Sequence, residues 1–103
     1  MSKYHAKKTI VDGITFASKR EAFYYQYYKK LEQAKEIYNL QLQVPYIFRL
    51  DGKKIFKYVA DFEYTDKDGK KHVIDVKGVE TPVFRLKKKL IEAYYKIEIE
   101  IVK

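Results

Sequence analysis

The sequence predicts a mixed α/β fold, an α+β arrangement of one mixed sheet with two helices, in the order β-hairpin, helix, three strands, helix, strand. Three observations carry this prediction. Asp-Gly and Gly-containing turns separate runs of β-branched and aromatic residues. Two N-cap signatures each open a stretch of helical periodicity. The last residues alternate strictly between isoleucine and glutamate, the period of a half-buried strand.

In chain order, Thr9-Ile10-Val11 and Ile14-Thr15-Phe16 flank Asp12-Gly13, a two-residue hairpin signal. Ser18 with Glu21 three residues later forms a capping box, and a helix is expected to about Lys35. Its expected apolar stripe is Phe23, Tyr27, Leu31 and Ala34, widened by Tyr24 and Tyr28. Leu40–Phe48 contains Pro45, which suggests an edge strand or a bend. Asp51-Gly52 turns the chain, and Ile55–Thr65 and Lys71–Lys77 read as strands. Thr81-Pro82 starts the second helix, with Pro at its first position and Val83, Leu86, Leu90, Ala93 and Tyr94 as its apolar face. Ile97, Ile99 and Ile101 alternate with Glu98 and Glu100 in the terminal strand, read as either a sheet edge or an internal strand.

The 103 residues suit a single domain, 1–103, and 47% hydrophobic residues are enough for a core. Cysteine is absent, which excludes a disulfide framework and a thiolate metal site. No apolar run reaches membrane-spanning length, and MSKYHAKKT has no signal-peptide apolar region. The expectation is a cytoplasmic protein with no membrane partner. Lys and Arg number 22 against 14 acids, a net charge of +8 that favours a polyanion such as nucleic acid, although lysines also serve solubility. The 11 tyrosines and six phenylalanines are read mainly as core, rings inside and hydroxyls at the edge.

The chemistry is expected at the hairpin around Gly69. A two-residue loop, Asp68-Gly69, would set Asp75 across from Phe62 and drive a carboxylate onto an apolar face, a cost of several kcal/mol or more. A three-residue loop, Lys67-Asp68-Gly69, with Gly69 left-handed, sets Asp61 opposite Asp75 beside Lys77. The reverse face then reads Ala60, Phe62, Ile74 and Val76. A one-residue slip inverts every side chain, so burial selects the second register. Carboxylates about 5 Å apart at Cβ repel, which raises one pKa or recruits a cation. Hard oxygen donors suit Mg²⁺, with Mn²⁺ able to substitute, while His5 and His72 are too far apart in sequence to suggest zinc. An Asp-x-Lys triplet alone is common. It gains weight because Asp61 interrupts the apolar run Tyr58-Val59-Ala60-Asp61-Phe62, because Gly78 follows Asp75-Val76-Lys77, and because a lysine-bearing helix comes next.

Asp61 followed by Asp75-Val76-Lys77 across a hairpin resembles the PD-(D/E)XK nuclease signature, with Ala60 in place of the proline. The element order resembles that superfamily's restriction-endonuclease-like core. Lys7-Lys8-Thr9, Val11 to Ile14, Phe16 to Ala22, Leu42-Gln43, Ala60-Asp61-Phe62, Asp75 to Gly78 and Phe84 to Leu90 are similar to a phage and prophage family, DUF1064.

The resemblance implies a Mg²⁺-dependent deoxyribonuclease, phage-encoded and acting in DNA recombination, repair or processing. Asp61, Asp75, Lys77 and Glu21 would be its catalytic residues. Asp61, Asp75 and the Val76 carbonyl would hold metal, with Glu21 reaching it through water. Glu21 is explained equally well as the capping-box acid; Gln43 would either orient the substrate or, the preferred reading, pair with backbone at a strand edge. Lys19, Arg20, Arg85, Lys87, Lys88 and Lys89 are candidate DNA contacts; the three consecutive lysines fall on different sides of a helix, so not all can serve. A homodimer would suit cutting of both strands. The competing expectation is a DNA-binding module that keeps the fold without cutting.

Overall fold

The computed structural model describes residues 8–103, so His5 and Lys7 lie outside the described residues. The element order is β1 (Thr9–Val11), β2 (Ile14–Phe16), α1 (Lys19–Gln33), β3 (Ile37–Leu50), β4 (Lys53–Asp66), β5 (Lys71–Val76), α2 (Pro82–Tyr95) and β6 (Ile99–Val102). β1 and β2 pair as the expected hairpin, with Asp12 and Gly13 both at positive φ. The other strands form a four-stranded mixed sheet in the order β3-β4-β5-β6, antiparallel except for the parallel β5–β6 pair. β3 and β6 are therefore its edges, as Pro45 suggested for the first and as one of two readings held for the second.

Each helix covers one face. Under α1, Ala22, Tyr25 and Tyr28 pack with Phe16, Ile37, Phe62 and Ile74. Under α2, Ile91 packs with Tyr46, Tyr58, Ala60, Val73 and Ile99. The expected faces are met only in part: on α1, Tyr28 is buried and Tyr24 and Leu31 pack against the core as expected, while the rest of that stripe and most of the α2 face turn outward. Phe23 (60% exposed) and Tyr27 (48%) on α1 face solvent, as do Val83, Leu86 and Tyr94 on α2. Hydropathy misled in both because each helix is apolar or aromatic on more than one side. On α1, five of the six residues Phe23–Tyr28 are aromatic, so periodicity cannot rank the faces.

The register of β4 with β5 follows from its turn. Phe62 pairs with Ile74 and Thr65 with Lys71. Asp66 N–H donates to Lys70 O at 2.8 Å and Gly69 N–H to Asp66 O at 3.0 Å, leaving a three-residue loop with Gly69 at φ 85°. An L-residue resists that left-handed region, and Gly does not. The same register, continued by one step, sets Asp61 against Asp75.

The expectation of one uniformly apolar face is corrected. Phe62, Ile74 and Val76 lie under α1, but Ala60 lies under α2. The change occurs in both long strands at once. Leu40 and Leu42 pack toward α1 while Val44, Tyr46 and Phe48 pack toward α2; Tyr64 and Phe62 go with the first set, Ala60, Tyr58 and Phe56 with the second. Pairing is unshifted across the break, Leu42 with Phe62 and Val44 with Ala60. Gln43 sits there at φ 52°, a left-handed residue inside a strand, which interrupts the two-residue alternation of faces. The position of Gln43 and Asp61 is thus a kink at which the sheet changes the side it buries.

Candidate functional site

The kink opens a cleft of about 580 Å³ lined by Ile14–Ser18, Glu21, Leu42, Gln43, Asp61, Val76 and Lys77. Four elements deliver its polar groups. Ser18 caps α1, its Oγ accepting from Glu21 N–H at 3.1 Å. The Glu21 carboxylate does not stay at the cap. Its Oε2 accepts from Gln43 Nε2 at 3.2 Å, and the same nitrogen donates to Asp61 Oδ1 at 3.3 Å. Gln43 therefore bridges the two acids, where edge-backbone pairing had been expected of it. The left-handed backbone at position 43 is what departs from strand geometry there. Backbone outliers of this kind concentrate at functional sites.

Asp61 Oδ2 accepts from Val76 N–H at 2.8 Å, so the side chain substitutes for a ladder bond where β4 and β5 part. Asp75 lies beneath the cleft, 2% exposed. Its Oδ2 accepts from the Tyr58 hydroxyl at 2.5 Å, and its carboxyl lies beside that of Asp61. Burial, foremost, and the Asp61 carboxyl push the Asp75 pKa up to about 7, while Tyr58 and Lys77 pull it down. Glu21 is also raised, by burial and then by the charge of Asp61, with Lys77 opposing. The Lys77 ammonium lies over the Phe84 ring, 4.7 Å from its centroid. Tyr58 stands two residues before Ala60 in strand alternation, and nothing in the neighbouring sequence marks its hydroxyl as an acid's partner.

A second buried acid shows what an ordinary one looks like in this fold. Glu63, 7% exposed, accepts from the Tyr46 hydroxyl at 2.5 Å and pairs with Lys71 at 3.2 Å. It is neutralised by a dedicated cation. Asp75 instead shares its surroundings with another carboxyl, an arrangement that favours a shared proton or a bound cation.

Among the described residues, no three or more His, Cys, Asp or Glu side chains are grouped so as to hold a metal ion. The donors that fit one are the Asp61–Asp75 pair. Two carboxylates completed by backbone carbonyl and water oxygens suit Mg²⁺, which commonly takes one or two carboxylates and retains waters.

The basic candidates divide. Lys19 and Arg20 are exposed on the first turn of α1, next to the cleft residues Ser18 and Glu21. Arg85, Lys87, Lys88 and Lys89 do not line the cleft. The Arg85 guanidinium donates to Glu80 O at 2.9 Å, Lys88 pairs with Glu92 at 3.3 Å, and Lys87 lies over Phe56 at 5.5 Å. Lys89 is exposed. No helix among the described residues is long and apolar enough to cross a membrane.

Fold and site together define a small mixed α/β protein whose sheet breaks at a cleft lined by two acids, an amide and a lysine, with a third acid, Asp75, buried beneath it. The chain belongs to the family described as protein of unknown function DUF1064, which matches residues 1–103. No curated protein and no solved structure matches it.

Proposed function

We propose that the protein is a metal-dependent DNA endonuclease, a hydrolase of phosphodiester bonds with a PD-(D/E)XK, restriction-endonuclease-like core. The observation that carries this reading is the meeting of Asp61, Asp75 and Lys77 with Glu21 and Gln43 at one break in the sheet. A buried acid beside another carboxyl has no structural use that Glu63 and Lys71 do not serve more simply.

Asp61, Asp75 and the Val76 carbonyl are the residues that would hold Mg²⁺ or Mn²⁺. The ion would supply an acidified water and neutralisation of phosphoryl charge. The chain's own groups do the positioning. Gln43 fixes the Glu21 and Asp61 carboxylates relative to each other. Glu21, its pKa raised, is suited to take up a proton at the cleft mouth. Lys77 offers an ammonium to the negative charge that develops on the phosphoryl oxygens. Lys19 and Arg20 extend positive charge along the rim at the positive end of α1. Cutting both strands of a duplex would call for a homodimer, and α2 offers the exposed apolar residues Val83, Leu86 and Tyr94 for such a seam. A role in DNA recombination, repair or processing on a phage genome, in the host cytoplasm, is the setting that suits this activity.

The test is a cleavage panel of duplex, flap, four-way junction and single-stranded DNA with Mg²⁺ or Mn²⁺. Cleavage of at least one substrate, dependent on the ion and on Lys77, is expected. Cleavage of none leaves the reading without support and favours a DNA-binding module of the same fold.

A further inference from the structure

The outer half of the β3–β4 hairpin has no role in the site just described. Over residues 44–60 it carries Arg49, Lys53, Lys54 and Lys57 against one acid, Asp51. All four basic residues are exposed, and none takes part in the ion pairs of the described residues. One face of this ribbon is packed: Val44, Tyr46, Phe48, Phe56, Tyr58 and Ala60 lie under α2. On the reverse face, which no helix among the described residues covers, Pro45, Arg49 and Lys57 are exposed and Ile47 and Val59 half-buried. The cluster beneath α1 takes only Ile37, Leu40, Leu42, Phe62 and Tyr64 from these two strands, so it stops at the kink.

Strand alternation puts Pro45, Ile47 and Arg49 of β3, and Lys57 and Val59 of β4, on that face. Arg49 pairs with Lys54 across the strands, just beyond a bulge at Ile55. Three of the four cations therefore share one face, and that face runs without interruption into Gln43 and Asp61. At about 3.4 Å per residue, Lys57 lies roughly 14 Å from Asp61 along β4, and the Arg49–Lys54 pair lies farther along the same line.

We propose that the reverse face of this ribbon is a track for the DNA backbone flanking the cut, with Arg49, Lys54 and Lys57 as its phosphate contacts. The proposal rests on the reading of the cleft as the cutting site for its direction, and on charge and continuity for its occupant. Lysines that served only solubility or edge protection would leave DNA binding indifferent to which three were removed.

The experiment compares two triple variants of the full chain. One is Arg49→Gln, Lys54→Gln, Lys57→Gln. The other removes equal charge elsewhere: Lys30→Gln, Lys67→Gln, Lys70→Gln. Binding of a fluorescent duplex is followed by anisotropy in chelator, from about 50 to about 200 mM salt, and cleavage is followed separately with Mg²⁺ or Mn²⁺. The hairpin variant should lose at least about tenfold in affinity, and its log–log salt slope should fall by about two to three, near 0.9 per lost contact. The control should keep most of the wild-type slope. Equal losses in the two variants, or no binding by the wild type, overturn the track. If binding depends on the hairpin but no substrate is cut, the track stands and the nuclease reading falls. If the wild type cuts and the two variants bind alike, the nuclease reading stands and the track falls.

Discussion

At the scale of single residues, Asp75 and Gln43 carry the site. Asp75 is held out of water against another carboxyl, and its pKa is raised chiefly by burial. For an acid raised from the usual value near 4 to about 7, the native state holds a proton that the unfolded chain has released. Its contribution to stability is complete below about pH 4 and is lost as pH rises through about 7. Asp75→Asn keeps an acceptor for the Tyr58 hydroxyl and has nothing to titrate. Thermal melts in chelator should therefore show variant and wild type close together at acid pH, and the variant more stable above neutrality. A wild type that gains stability through that window relative to Asp75→Asn would contradict the assignment. Gln43 separates backbone from side chain. Its left-handed φ costs an L-residue about 1–2 kcal/mol, while glycine gives back part of that in chain entropy. Gln43→Gly should leave the melting temperature within a few degrees, yet free Glu21 and Asp61 from each other and reduce cleavage about tenfold or more. Unchanged cleavage would make the amide bridge incidental.

At the scale of elements, legibility tracked how local the controlling physics is. The β4–β5 register was readable because a three-residue turn with left-handed Gly69 is decided by neighbours in sequence; the burial argument did not discriminate, since Asp75 is buried in the observed register too. The Asp12-Gly13 hairpin and both helix caps are likewise local. The buried faces of the helices were readable only in part. With Tyr24, Tyr25, Tyr27 and Tyr28 all present, which ones go inside depends on what the sheet offers. The kink at Gln43 was hidden for a related reason, since nothing in Leu42-Gln43-Val44 announces a left-handed residue. Gln43 was singled out by resemblance, but its bridge to two acids needed the fold. α2 gives a direct check on orientation. Ile91 is fully buried, and Ile91→Ala should cost about 2–5 kcal/mol in denaturant unfolding. Leu86 is 59% exposed, and Leu86→Ser should cost about 0.5 kcal/mol or less. The reverse ranking would restore the face that periodicity favoured.

At the scale of the whole molecule, three sheet strands are clasped away from the cleft by His72. It stacks on Tyr64 and bonds Asp66 through Nε2 at 2.7 Å and Glu100 through Nδ1 at 2.5 Å, joining β4, β5 and β6. Burial works to lower its pKa, but the two carboxylates prevail and the net shift is upward. The charged form is favoured by the fold, so its contribution is complete below the ordinary histidine value near 6.5 and fades as pH rises through the raised one. His72→Gln should flatten the decline of melting temperature as pH rises above the ordinary histidine value near 6.5. A decline that persists unchanged in that variant would remove the clasp from the account. The clasp, the cores under each helix and the break between them leave Glu21, Asp61, Gln43 and Lys77 lining one cleft over the buried Asp75, with a basic ribbon leading from it. The most direct test of what that cleft does is the nicking of supercoiled plasmid DNA in Mg²⁺ or Mn²⁺ by the wild type, Asp75→Asn and Lys77→Ala, with folding of each checked by circular dichroism. Ion-dependent nicking by the wild type and its loss in both folded variants is the result predicted. Nicking that persists in either folded variant would contradict the site.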